Sequence, residues 1–126
     1  MNFEKVVFGF FITLALTLNF GFWTGQIDNP AHHNGVELVA ALIVSLIATV
    51  LKFGDRTQLG AVHLATSLVA DLQLVIGCGI WVWAVQVAGG MTPHYIALVV
   101  SMSGGALIAN IISAILMISE IVQFRR

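Results

Sequence analysis

Apolar residues occupy four long blocks of this chain, and most polar residues fall between them. The blocks run from Val6 to about Trp23, Val36 to about Phe53, Leu59 to about Val87, and Tyr95 to about Phe124. Each reaches the roughly 17–25 residues a helix needs to cross the hydrocarbon core of a bilayer. The connections, TGQIDNPAHHNG, GDRTQ and AGGMTPH, are short and rich in the Gly, Pro, Asn and Asp that end helices. Asn34-Gly35 precedes the second block, and Thr92-Pro93 reads as a helix start for the fourth. The third block is longer than a bilayer needs, so it should tilt, protrude or distort at Gly77-Cys78-Gly79. The pattern predicts an all-α, integral membrane four-helix bundle, a single transmembrane domain over residues 1–126.

Composition supports that reading and removes several others. The chain is 59% hydrophobic and 9% charged, whereas soluble domains carry about 25% charged residues. A net charge of -1 without Lys/Arg runs gives no case for nucleic acid. One cysteine, Cys78, excludes an intrachain disulfide. Zinc-type spacings, phosphate-binding glycine loops and nucleophile elbows are missing. The nearest approach to a nucleophile and base at headgroup level is Thr92 beside His94, so no enzyme is expected. No cofactor is expected either: bis-histidine haem needs two facing histidines, and only His63 lies in a span.

All five basic residues, Lys5, Lys52, Arg56, Arg125 and Arg126, lie at the two ends or in the second loop. With four spans these locations share one side of the membrane, and positive residues favour the cytoplasm. Both termini are therefore predicted cytoplasmic. Trp23, Trp81, Trp83 and Tyr95 gather toward the other side, as an interfacial aromatic belt would. The first block resembles a signal peptide but offers no small-x-small cleavage site in TLNFGFWTG, so it reads as a retained anchor.

The fourth span carries Ala97, Ser101, Gly105, Ala109 and Ser113 at four-residue spacing, a small-residue face that permits close helix packing. Ala41, Ser45 and Thr49 repeat the idea on the second span, continuing a face that starts at Glu37. Packing within the bundle and a subunit interface are compatible uses of these faces. A chain this small buries a limited core, so a homo-oligomer or a membrane-protein partner is expected.

The third span raises the functional question. His63, Ser67 and Asp71 follow one another at four-residue steps and share a slowly drifting face. At ~1.5 Å per residue Asp71 lies roughly 18 Å along the helix, near the bilayer centre. A carboxylate facing lipid there is disfavoured by about 2.5–3.5 kcal/mol on insertion scales. Asp71 must take a proton, find donors or meet water. Its candidate polar partners are Asn19, Ser45, Gln73 and Asn110. Intramembrane carboxylates often mark ion pathways, so the three residues read as a cation or proton route opening inward. The competing reading is that Asp71 is hydrogen-bonded glue and His63 an interface residue.

The first loop adds Asp28, His32, His33 and Glu37, a set that could bind a divalent metal or report external pH. The spacing of well-attested sites is missing, and a solvated loop with Glu37 favouring the start of the second helix competes. Elsewhere, Thr13, Thr17 and Thr49 can bond their own helix carbonyls, and Asn19 and Asn110 suit cross-helix bonds. Glu120 is expected to pair with Lys5, Lys52 or Arg56, and Asp55 with Arg56.

The block HHNGVELVAALIVSLIATVLKFGDRTQLGAVHLATSLVADLQL, His32 to Leu74, resembles a family of short, uncharacterised bacterial inner-membrane proteins with the same four-span layout. The resemblance implies a multi-pass protein of the bacterial inner membrane and carries no site residues. Two function classes remain. In one, an oligomer moves or coordinates a monovalent cation or proton with Asp71 at its centre. In the other, the chain is an accessory subunit of a larger channel, transporter or respiratory complex.

Overall fold

The structure, a computed structural model, describes residues 3–53 and 58–124. Four α-helices follow one another: α1 (Phe3–Trp23), α2 (Gly35–Lys52), α3 (Gln58–Gln86) and α4 (Pro93–Phe124). A short 3-10 turn, Pro30–His32, lies in the first connection. All four helices are long and apolar enough to cross a membrane. Asp55, Arg56, Arg125 and Arg126, and with them the expected Asp55–Arg56 pair, lie outside the described residues.

The helix boundaries follow local chemistry. Asn34 caps α2 by accepting the N–H of Val36 at 2.9 Å, and Asn29 caps the short turn by accepting that of Ala31. Thr92 accepts from Tyr95 N at 3.3 Å while Pro93 fills the first position of α4, where a missing N–H does no harm. Helix α3 runs unbroken through Gly77-Cys78-Gly79. It ends at Gln86, and Gly89 and Gly90, with φ of 87° and 138°, then turn the chain away as Gly90 N–H donates to the Ala84 carbonyl.

The bundle is antiparallel throughout, and each helix packs on two neighbours in a closed ring. Lys5 meets Glu120 and Asn19 meets Ser103 between α1 and α4. Ser45 meets Asp71 between α2 and α3, and Thr66 meets Ser113 between α3 and α4. The start of α1 and the end of α4 therefore lie at one end with Lys52, here called the charged end. Trp23, Trp81, Trp83 and Tyr95 gather at the other, the tryptophan end.

The interior is built from smaller and more polar residues than the exterior. Ala15, Ala41, Ala48, Ala70 and Ala106 are fully buried, whereas Phe10, Val50, Leu72 and Ile108 point outward. A water-soluble bundle has the opposite arrangement. Large apolar residues seal the interior mainly toward the tryptophan end, where Phe22, Leu38, Leu74, Ile96, Val99 and Val100 form one core. A smaller cluster of Phe8, Ile12 and Ala48 serves the charged half. Much of the rest of that half's interior is polar, with Thr49, His63, Ser67, Asn110, Ser113 and Glu120 buried there.

The small-residue face of α4 divides in two. A four-residue step advances about 40° around a helix, so the series winds from exposed Ser101 to buried Ala109 and Ser113. Only its later members pack inside the bundle.

Candidate functional site

Asp71 turns into the bundle and is buried. Its Oδ1 accepts from Ser45 Oγ at 2.6 Å and its Oδ2 from Thr49 Oγ1 at 2.5 Å. Ser45 and Thr49 lie one turn apart on α2, so a single helix face supplies both donors. Thr49 Oγ1 also lies 3.0 Å from the carbonyl of Ser45, the back-bond expected of a threonine inside a helix. Charge-assisted O–H···O⁻ bonds have these lengths.

Of the four partners expected for Asp71, Ser45 is in place and the other three lie elsewhere. Gln73 is two residues along α3, about 200° around the helix, and its amide rests over Gly105 in a groove between α3 and α4. Asn19 Oδ1 accepts from Ser103 Oγ at 2.5 Å, nearer the tryptophan end. Asn110 is buried, and neither atom of its amide has a hydrogen-bond partner among the described residues. The Thr66–Ser113 and Gln73–Gly105 contacts bracket it. Its backbone thus lies opposite the stretch of α3 between Ser67 and Asp71. Thr49 is the partner that sequence reasoning assigned elsewhere. The signal was its four-residue distance from Ser45 on a face already recognised as polar and small.

Ser67 lies one turn from Asp71 toward the charged end and is buried, and its hydroxyl has no described protein partner. His63, a further turn along toward the charged end, is completely buried within the bundle. Its ring meets Phe8 edge-on, and its Nε2 is 4.0 Å from Glu120 Oε2. Lys5 Nζ donates to Glu120 Oε1 at 3.1 Å, and Lys52 Nζ lies 3.9 Å from Oε2 and 4.4 Å from the centre of the Phe8 ring. Each helix thus contributes one ionisable group to a charged cluster around Glu120. Above it the polar column continues through Ser67, Thr49, Asp71 and Ser45, and it ends under the large apolar core. A buried polar group without a partner is unfavourable by about 1–3 kcal/mol. Ser67, Asn110 and the Asn19 amide nitrogen give this interior unused capacity for a polar guest.

The loop residues Asp28, His32, His33 and Glu37 do not converge. Among the described residues no group of three or more His, Cys, Asp or Glu side chains is placed to hold a metal. The reason is local. His33 is buried with its two ring nitrogens at 2.5 Å from Phe22 O and 2.7 Å from Gln26 O. His32 folds back onto Gln26 N–H and the Asn29 amide. Glu37, already in α2, lies against Gly21, whose missing side chain leaves it room.

A family model matches residues 32–121, which covers α2, α3 and nearly all of α4. The chain belongs to DUF6394, a family of unknown function. No curated protein and no solved structure matches it. The matched segment contains Ser45, Thr49, Ser67, Asp71, Asn110 and Glu120, while Lys5 and Asn19 precede it.

Proposed function

We propose that this member of DUF6394 is a small oligomeric protein of the bacterial inner membrane that moves or coordinates a cation or proton through the polar interior of its bundle. Both chain ends lie on the cytoplasmic side in this reading, because the basic residues fall at the charged end and its loop. The observation that carries the proposal is Asp71: a carboxyl group at mid-helix, turned away from lipid and held by two hydroxyls. In the same interior, Ser67 and Asn110 have hydrogen-bonding atoms without partners among the described residues. The polar column meets the charged cluster at one end and large apolar side chains at the other. Such a site exchanges its guest with the cytoplasm and needs a rearrangement of the apolar core to reach the far side.

The test is Asp71→Asn in proteoliposomes, with the oligomer followed by size-exclusion chromatography. The variant keeps most hydrogen bonding and removes the charge. Loss of flux with assembly intact supports the proposal, and unaltered flux rejects it.

A second reading, an accessory subunit of a larger membrane complex, draws on the groove of ≈ 890 Å³ between α1 and α4. Ser101, Gly104 and Gly105 leave space there among Leu16, Phe20 and Trp23, so another helix could approach closely. Co-purification of a second polypeptide without crosslinking supports that reading, and a homogeneous oligomer of this chain alone counts against it.

A further inference from the structure

We infer that the species bound at Asp71 is a proton and that the Thr49 hydroxyl is the switch that accommodates it. The inference rests on the transport reading above and narrows its cargo from any small cation to one.

The first ground is the count of hydrogens. Thr49 Oγ1 carries one proton but has two acceptors in reach, Asp71 Oδ2 at 2.5 Å and the Ser45 carbonyl at 3.0 Å. With Asp71 ionised, the hydroxyls of Ser45 and Thr49 both donate to the carboxylate. When a proton arrives on Oδ2, an O–H bond forms there and the group becomes neutral. That O–H donates to Thr49 Oγ1, whose own hydrogen rotates to the Ser45 carbonyl, while Ser45 Oγ still donates to Oδ1. Every polar atom of the cage is satisfied in both states without moving a heavy atom. Leu, Val or Ala at position 49 would satisfy neither.

The second ground is spacing. Oxygens that share a small cation stand apart: octahedral ligands at about 2.0–2.1 Å are separated by about 2.9 Å, and larger cations require more. The oxygens around Asp71 are 2.6 and 2.5 Å from it, the separations of hydrogen-bonded pairs, so a metal ion would enter only after Ser45 and Thr49 draw back, whereas a proton needs no such movement. One carboxylate and two hydroxyls also fall short of the six or more oxygens a hard divalent cation takes.

The other ionisable side chains of the four helices are Glu4 and Lys5 on α1, Glu37 and Lys52 on α2, His63 and Cys78 on α3, and His94, Tyr95 and Glu120 on α4. Of these His63, Lys52, Lys5 and Glu120 cluster at the charged end, with Ser67 between His63 and Asp71. His63 and Ser67 lie on the same side of α3 between that end and Asp71.

Two measurements test this. Proteoliposomes carrying an entrapped pH dye, and parallel ones loaded with labelled sodium or rubidium, separate the cargoes. Proton flux without alkali-ion flux is expected, with Thr49→Ser retained and Thr49→Val slowed about tenfold or more, the scale of one hydrogen bond to a charged group. Alkali-ion flux without proton flux overturns the inference and leaves the transport proposal standing. Proton flux unchanged in Thr49→Val overturns the switch. Infrared difference spectroscopy of the unaltered protein supplies a readout independent of transport and of variant folding. A carboxyl C=O band that titrates, and disappears in Asp71→Asn, supports the proton site even if no flux is found, in which case transport alone falls. A carboxylate that never protonates across the stable pH range overturns the inference.

Discussion

Lys5 and Glu120 join the first turn of α1 to the last turns of α4 through a 3.1 Å ion pair. Their environments differ. The Lys5 side chain is 42% exposed, while Glu120 is 11% exposed and Lys52, its second cation, 10%. A shared carboxylate in this position ties three chain segments together at the mouth of the polar column, and its two cations are not equivalent.

That difference gives the first prediction. Truncating one partner of a buried ion pair typically costs about 3–5 kcal/mol, whereas exposed pairs contribute about 0–1 kcal/mol. Lys52 keeps the face of Phe8 when the carboxylate is removed. Glu120→Ala should therefore destabilise the detergent-solubilised protein by about 2–3 kcal/mol, and Lys5→Ala by at most about 1 kcal/mol. Thermal unfolding of the two variants side by side checks the order. Equal losses would mean that burial does not set the worth of these charges.

The second prediction concerns Ser45 and Asp71. Polar contacts between membrane helices average about 0.6 kcal/mol in double-mutant cycles and reach about 1.7. The short Ser45–Asp71 bond belongs at the upper end of that range, because its acceptor is a carboxyl group and both side chains are buried. A cycle of Ser45→Ala and Asp71→Ala should give a coupling of about 1–2 kcal/mol. A coupling near zero would show that the two groups do not hold each other in the bilayer or micelle.

The elements of this fold were legible in the sequence because the bilayer imposes a length that four apolar blocks meet and short Gly/Pro-rich loops punctuate. The four spans fell within three residues of the observed helices. The inward turn of His63, Ser67 and Asp71 was also legible, since four-residue steps keep side chains on one face. The partner set was harder. Gln73 lies close to Asp71 in sequence but on nearly the opposite side of α3, and proximity along the chain misled. Thr49 was hidden by its ability to satisfy itself on its own helix carbonyl, which makes a threonine look finished before its neighbours are considered. Asn19 and Ser103 depend on the register between α1 and α4, which no local pattern encodes. The loop histidines looked like metal ligands because the pattern HH between two acids says nothing about the backbone carbonyls that claim them.

Two glycines give the third prediction through opposite neighbours. A Cβ at Gly35 would fall 2.8 Å from Trp81 Cζ2 and 2.9 Å from Cε2, atoms of a rigid ring packed on Phe22. A Cβ at Gly105 would overlap the amide of Gln73, the free end of a flexible side chain. Overpacking costs about 1–3 kcal/mol where the neighbour cannot move, while replacing a helical glycine by alanine gains about 0.5–1 kcal/mol. Gly35→Ala should lower the melting temperature, and Gly105→Ala should leave it unchanged or raise it. The reverse order would mean that Trp81 is free to shift and Gln73 is not.

The last prediction turns on His33, whose ring serves the end of α1. Its nitrogens face the carbonyl oxygen of Phe22, in the last turn of α1 where carbonyls lack helical partners, and that of Gln26 in the following loop, which also accepts from Asn29 N–H. An imidazolium donates to both and a neutral imidazole to one. Its ring also packs on Phe22 with centroids 5.4 Å apart. His33→Phe retains that packing and removes the ring nitrogens, so it isolates the hydrogen bonds from the burial. Leaving the carbonyl of fully buried Phe22 unpaired costs about 1–3 kcal/mol, while that of Gln26 keeps the Asn29 N–H. The variant should unfold at lower temperature and exchange amide hydrogens faster in residues 24–34. His32→Phe, at an exposed position of the same loop, should do neither to a comparable degree. If both substitutions are equally harmless, the loop is held by Asn29 and Asn34 alone, and His33 has no part in fixing the junction between α1 and α2.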